Sequence, residues 1–299
     1  MLLNIIITLL LLQPFSNIYS SDISFFDIKA RAEHEPPQRI NIQNIGVEVA
    51  ADRFVAIDIN SGKVLLQKDS NIQQPIASIT KLMTALVILD KQPDWQLEVE
   101  MQQSDETVGA YPHLYRGERV SFTDLWKAGL VTSDNNAIKA MIRGLGLGQA
   151  EFVDLMNERA EQMQMYNSRF ADPTGLNEGN ISTALDVSRL VHLAMQRNEI
   201  RESVLQSKYS FKILNNGKTR KINNTDILVS SFLNSAKYGY ELIGGKTGFL
   251  NEAGYCLAVE IAHEQHSIAI VVLNSPSINQ RFQDVKVIAD WVFSNHKWK

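Results

Sequence analysis

The chain has 299 residues, 44% of them hydrophobic and 21% charged, with 16 Gly, 8 Pro and a single Cys; at roughly 100 to 200 residues per domain this allows one large domain or two small ones. The composition excludes disordered, collagen-like and disulfide-scaffold proteins. A net charge of −4 leaves no electrostatic footprint for a phosphate backbone, so no nucleic-acid partner is expected, and Cys256 alone can form neither an internal disulfide nor a Cys-Cys metal clamp.

Residues 1–20 carry no charged side chain. Their apolar run, Leu2 to Leu12, is too short for the roughly 20 residues of a spanning helix and suits the core of a secretory signal, with Ser20 at the cleavage site. Residues 21–45, with mixed charge and Glu35-Pro36-Pro37, read as a linker, leaving 46–299 as the folded domain. Phe54–Ile59 and Lys63–Lys68 flank Asn60-Ser61-Gly62 and predict a hairpin. Ser78 then opens a helix whose apolar residues Ile79, Leu82, Met83, Leu86 and Val87 follow helical spacing.

From Phe122 to about Ile200 the pattern is mainly helical, broken at Ser133-Asp134-Asn135, at Gly144–Gly148 and at Asp172–Leu176. The glycine run follows a helix and reads as its stop, not as a dinucleotide loop. From Tyr209 the pattern becomes β-rich, with strong strands at Gly254–Ala262 and Ser267–Leu273 around a His263–His266 turn. A last amphipathic helix places Phe282, Val285, Val287, Ile288, Trp291 and Val292 inward. Strands, helices, strands and helix predict an α+β fold: an antiparallel sheet flanked by helices, with a mainly helical insertion. His263 and His266 lack companion ligands and read as surface residues, so no metal is expected. Cys256, within a strand, reads as a small core hydrophobe.

Three short motifs carry chemistry. In Ser78-Ile-Thr-Lys81 the lysine stands one helical turn from the serine, and a lysine amine whose pKa is lowered by burial and nearby cations can take the proton of a hydroxyl nucleophile. Read alone, Ser78 is equally an N-cap and Lys81 a solvated residue. Ser133-Asp134-Asn135 offers a hydroxyl and an amide between two helices, or simply a turn. Gly244-Gly245-Lys246-Thr247-Gly248 precedes a strand, with Tyr240 where a Walker loop requires glycine, so no nucleotide is expected.

Together, Ser-x-x-Lys, Ser-x-Asn and Lys-Thr-Gly at positions 78, 133 and 246 form the penicilloyl-serine motif set. With Asp172–Leu176, Ser182–Asp186 and the continuation Phe249–Cys256, the chain from about residue 46 onward resembles the low-molecular-mass penicillin-binding proteins, the D-alanyl-D-alanine peptidases. The resemblance implies a β-lactamase/transpeptidase-like fold with no second C-terminal domain. It implies Ser78 as nucleophile, Lys81 as its base and Ser133 as proton relay. It further implies that Asn135, Lys246, Thr247 and Gly248 bind substrate, with Lys246 holding Lys81 in a positive field, and that the N–H groups of Ser78 and Phe249 form an oxyanion hole. Asp134 receives no role. No cofactor is implied.

The short form most resembles D-alanyl-D-alanine endopeptidases, which cut cross-linked peptidoglycan stems. Carboxypeptidase action on uncrosslinked stems, and a non-catalytic β-lactam sensor, are the alternatives. β-Lactams are the implied covalent inhibitors and the periplasm the implied location, with no transmembrane anchor after signal cleavage. The Glu-x-x-x-Asn loop of class A β-lactamases is missing: Pro173 stands four before Asn177.

Overall fold

The computed structural model describes residues 35–40, 43, 46–107 and 112–299; the expected signal segment, 1–20, lies outside them. The central sheet is antiparallel and draws its strands from both ends of the chain. They are β1 (Arg53–Asp58), β2 (Val64–Lys68), β3 (Tyr240–Leu250), β4 (Gly254–His263) and β5 (His266–Ser275), in the order β3-β4-β5-β1-β2. β4 and β5 are nearly continuous apolar runs because both of their faces are covered. The period of two shows in which core each residue joins. Val55, Ile57, Ala258, Ala269 and Val271 pack with the helices on one face, whereas Phe54, Ala56, Leu257, Val259, Ile268 and Ile270 pack with the C-terminal helix on the other.

The α-helices among the described residues are α1 (Thr80–Asp90), α2 (Phe122–Val131), α3 (Asn135–Gly144), α4 (Gln149–Gln162), α5 (Ala184–Met195), α6 (Asn198–Val204) and α7 (Ile278–Asn295). Side chains of Ser121, Asp134, Thr183 and Ser277 accept from the third residue onward and cap α2, α3, α5 and α7. α1 is buried along its whole length from Thr80 to Leu89, and Lys81 is enclosed with it. A helix covered on every side lies in the middle of a core.

Four expectations are corrected. Ser78 does not begin α1 but lies in a 3-10 turn, Ala77–Ile79, before it. Lys-Thr-Gly lies within the eleven-residue strand β3, not ahead of a strand. Val287 is 37% exposed, facing away from the sheet that its neighbours Phe282, Val285 and Ile288 cover. His263 and His266 end β4 and β5 as a cross-strand pair, half-buried against Tyr240 and Trp298, and the turn itself is Glu264-Gln265. Two residues of the expected linker, Gln38–Arg39, pair with His296–Lys297.

The chain entering β1 is fixed by one carboxylate. Buried Asp284 on α7 accepts from the N–H groups of Ala50 and Ala51 at 3.0 Å, from Ser275 Oγ at 2.8 Å and from Gln280 Nε2 at 3.0 Å. Removing it strands buried donors, at about 1–3 kcal/mol each. Asp284→Ala is therefore expected to lower the melting temperature by about 6–12 °C, the shift of a roughly 3 kcal/mol loss, while Val287→Ala on the same helix changes it by less than about 2 °C; calorimetry of both variants checks this.

Candidate active site

Ser78 sits where three parts of the chain converge. The 3-10 turn that holds it begins at Ala77, whose backbone is left-handed at φ 49°, a conformation uncommon for a residue with a Cβ. Lys81 follows one turn later, 0% exposed. Its Nζ reaches Ser78 Oγ at 2.9 Å, Asn135 Oδ1 at 2.6 Å and the Thr174 carbonyl oxygen at 2.6 Å. Asn135 opens α3, and Asp134 before it sets that helix's start. The Asp134 carboxylate accepts from the N–H of Ala137 at 3.0 Å and of His113 at 2.5 Å.

Ser133 lies between α2 and α3 in a left-handed conformation, φ 62°. Its buried hydroxyl has no hydrogen-bond partner. Strain and an unpaired buried polar atom on one residue are costly features, of the kind that collects at functional sites.

β3 supplies the opposite wall. Lys246 is buried and Nζ donates to the Thr247 carbonyl at 3.2 Å. Thr247 Oγ1 lies 2.7 Å from Thr225 Oγ1. Gly248 is required by closeness: a Cβ there would stand 2.8 Å from the Ile76 carbonyl oxygen and 3.2 Å from the Ser78 nitrogen. The strand edge thus abuts the backbone of the 3-10 turn, and the next residue, Phe249, directs a 48% exposed ring outward.

The electrostatics follow from burial. Lys81 is pushed down to about 7, chiefly by desolvation, with Asp172 and Asp134 opposing. Lys246 is held well below the usual lysine range by desolvation, with repulsion from Lys81 and Arg281 added and Asp226 opposing. Of the two expected causes, burial is the larger for Lys81, and the repulsion between the two lysines falls on Lys246. Asp226, itself buried, is raised to about 6.

Several contributors lay outside the motif reading. Arg281, on α7, is buried and donates from Nη1 to the Gly248 carbonyl at 3.0 Å; inside an amphipathic helix pattern nothing marks it. Asp172 organises the loop that presents Thr174. It accepts from the N–H groups of Thr174 at 3.1 Å, Gly175 at 3.0 Å and Asn177 at 3.3 Å, and from the side chains of Thr174 and Asn180. The segment's Pro, Thr and Gly signalled a turn, but not its contact with Lys81. Cys256 is buried, its thiol pushed up to about 11 by desolvation, as a core residue should be. Among the described residues no group of His, Cys, Asp or Glu is arranged to hold a metal.

Comparison with known proteins agrees with this geometry. The Streptomyces K15 DD-transpeptidase superposes with a TM-score of 0.75 at 27% identity, covering 83% of this chain and 98% of that one; the fold is that of the penicillin-binding transpeptidases. A D-alanyl-D-alanine endopeptidase of Pseudomonas aeruginosa is 31% identical over 259 residues, covering 86% of this chain and 81% of that protein. One from Escherichia coli is 30% identical over 247 residues, covering 82% and 78%. Residues 37–277 match the peptidase S11 model, described as D-alanyl-D-alanine carboxypeptidase, and the chain belongs to that family. It is a serine-type D-Ala-D-Ala peptidase, and the reading as a non-catalytic sensor finds no support.

Gly175 joins the two halves of the site. At φ 87° it takes a left-handed form, and a Cβ there would stand 2.1 Å from the Ala77 carbonyl oxygen. Gly175→Ala combines the roughly 1–2 kcal/mol cost of that conformation with a backbone clash. The variant is expected to melt more than about 4 °C below wild type and to lose most of its peptidase activity; a variant with unaltered melting would show that the loop is not held against the Ser78 turn.

Proposed function

We propose that the protein is a D-alanyl-D-alanine endopeptidase of peptidoglycan, acting in the periplasm through an acyl intermediate on Ser78. The observation that carries the chemistry is the set of three contacts on buried Lys81. Asn135 Oδ1 and the Thr174 carbonyl can only accept. Once the amine is neutral, its two N–H bonds go to those oxygens, and its lone pair is left for the one neighbour able to donate, the Ser78 hydroxyl. The same contacts therefore serve the ammonium as three acceptors and the amine as two acceptors and a donor.

Ser78 Oγ attacks the D-alanyl carbonyl as its proton passes to Lys81 Nζ. The oxyanion meets the N–H groups of Ser78 and Phe249, where one donor is worth about 2.7–4 kcal/mol. Ser133 hands its proton to the departing amine and takes the one held by Lys81 in its place, consistent with its unpaired hydroxyl. Asn135 holds the substrate amide as well as Lys81. Lys246, Thr247 and Gly248 receive the anionic end, with the Arg281 guanidinium behind the Gly248 carbonyl. Water then cleaves the acyl-Ser78 ester.

Endopeptidase action is favoured over carboxypeptidase action by the relatives at 30–33% identity, named endopeptidases, of which the match covers 76–81%. Three carboxypeptidases are less similar, at 27–28% identity, with the match covering 63% of two of them and 88% of the third. β-Lactams are expected to acylate Ser78 and leave slowly. Asp172, the carboxylate in the 172–177 segment, is fully engaged by its own loop and is not free to activate water. No helix among the described residues is long and apolar enough to cross a membrane.

Digestion of purified cross-linked muropeptide dimers is expected to yield monomers, with Ser78→Ala reducing the rate by at least about 10³-fold; loss of terminal D-Ala with dimers intact would instead establish the carboxypeptidase. Because the neutral amine is the active form and Lys81 titrates near 7, acylation by a fluorescent penicillin should fall about tenfold per unit as pH drops below about 6 and level off above about 8. A rate still climbing toward pH 10 would show that Lys81 is not the base.

A further inference from the structure

The helix that carries Lys81 bears a second polar residue that none of these roles uses. Thr84 stands on α1 one turn beyond Lys81, on the same face, and is 0% exposed. Its Oγ1 donates to the Pro173 carbonyl oxygen at 2.6 Å. The Thr80 carbonyl, the usual partner of a helical threonine, is 3.4 Å away. The one hydroxyl proton therefore points out of the helix, to the loop.

Pro173 immediately precedes Thr174, whose carbonyl meets Lys81 Nζ at 2.6 Å. Three consecutive loop residues thus track back along one stretch of chain: Pro173 on Thr84, Thr174 on Lys81 and Gly175 against the Ala77 carbonyl. Asp172 fixes the shape of this loop from within, but those bonds do not set where the loop sits against α1. Nor can Lys81 be the anchor. Hydrogen bonds from a charged donor are roughly twice as strong as neutral ones, so its hold on the Thr174 carbonyl weakens each time the ammonium becomes an amine. The Thr84 hydroxyl does not titrate, and its bond persists in both states.

We infer that Thr84 is a positioning residue for the general base: by holding the Pro173–Thr174 segment against α1 it keeps the Thr174 carbonyl on Lys81 Nζ, so that the lone pair of the neutral amine faces the Ser78 hydroxyl. This rests on the reading of Lys81 as the base, and not on which peptidoglycan bond is cut. Among the described residues, the charged groups facing Lys81 are Asp172 on the loop, Asp134 before α3 and Lys246 on β3; Asp90, at the far end of α1, is engaged by Arg159 and Arg197. Without the Thr84 hydroxyl, the Thr174 carbonyl and Asp172 withdraw together. Both favour the ammonium, so their retreat moves the titration of Lys81 to lower pH, and the amine no longer aims its lone pair.

The experiment follows acylation by a fluorescent penicillin against pH in wild type, Thr84→Val, Thr84→Ser and Thr84→Cys. Thr84→Val keeps the shape and removes the hydroxyl. In it the midpoint of the acidic limb is expected to fall by about one pH unit, and the plateau rate above about pH 8 to fall about 10- to 100-fold. Thr84→Ser keeps the donor and restores the wild-type midpoint. Thr84→Cys, a weak donor of similar size, shifts the midpoint in the same direction as Thr84→Val and supplies the reading should that variant fail to fold. A merely structural threonine would lower the fraction of active protein equally at every pH. A midpoint left at its wild-type value, or one shifted as far in Thr84→Ser, overturns the positioning role while leaving Lys81 as the base. A wild-type rate still climbing toward pH 10 overturns the reading of Lys81 as the base, and the positioning role with it.

Discussion

The enclosure of Lys81 is the constraint on which the rest of this structure depends. An ammonium sealed from water is costly by several kcal/mol even after relaxation, and two nearby carboxylates, Asp172 and Asp134, only partly offset it. The balance leaves an amine that exchanges its proton near neutral pH. That balance requires a helix buried on every side, a loop turned inward so that the Thr174 carbonyl meets Nζ, and an amide from the start of α3. Each comes from a different stretch of chain. The site is therefore a product of tertiary packing, and weakening the packing changes the chemistry before it unfolds the protein.

The loop from Asp172 to Asn180 shows how that requirement is met. Asp172 gathers its donors from within the segment, and Asn180 Oδ1 in turn accepts from the N–H groups of Ala171 at 2.6 Å and Asp172 at 3.1 Å. A loop so fully bonded to itself keeps its shape when pressed against the core. It can then approach the Ala77 backbone so closely that only glycine fits at position 175. Asp134 acts similarly for the Ser133 segment, satisfying the first turn of α3 and the His113 backbone together, which fixes Ser133 in its strained form.

Much of this was legible in the residues. Hairpin β1–β2, the long pair β4–β5 and the helices follow from alternation and from 3.6-residue spacing, and three motifs in order pointed to one site. What was not legible depends on contacts between distant segments. Arg281 sits in a helix whose apolar stripe is complete without it, and nothing local relates it to Gly248. Asp134 looked like one more turn residue. The start of α1 was read at Ser78 because a helix pattern cannot show that Ala77 is left-handed and that one 3-10 turn intervenes. The extent of the Lys81 shift was not legible for a related reason: motif spacing suggests which charges are neighbours, but not how much water the fold removes from them.

The position of β3 explains why the site lies at one end of the sheet and why little of the strand is open. An edge strand presents unpaired N–H and C=O groups, a hazard in most proteins and a template for an extended peptide in some. Here the first half of that edge is taken up: β3 packs against the turns at Ile227–Ser230 and Phe232–Asn234 and against α6, with a bulge between Leu242 and Gly244. The second half meets the Ser78 turn through Gly248. What remains is a short length around Thr247 to Leu250, beside the Ser78 turn. A substrate backbone laid along that length would be held in register by the backbone groups of the strand.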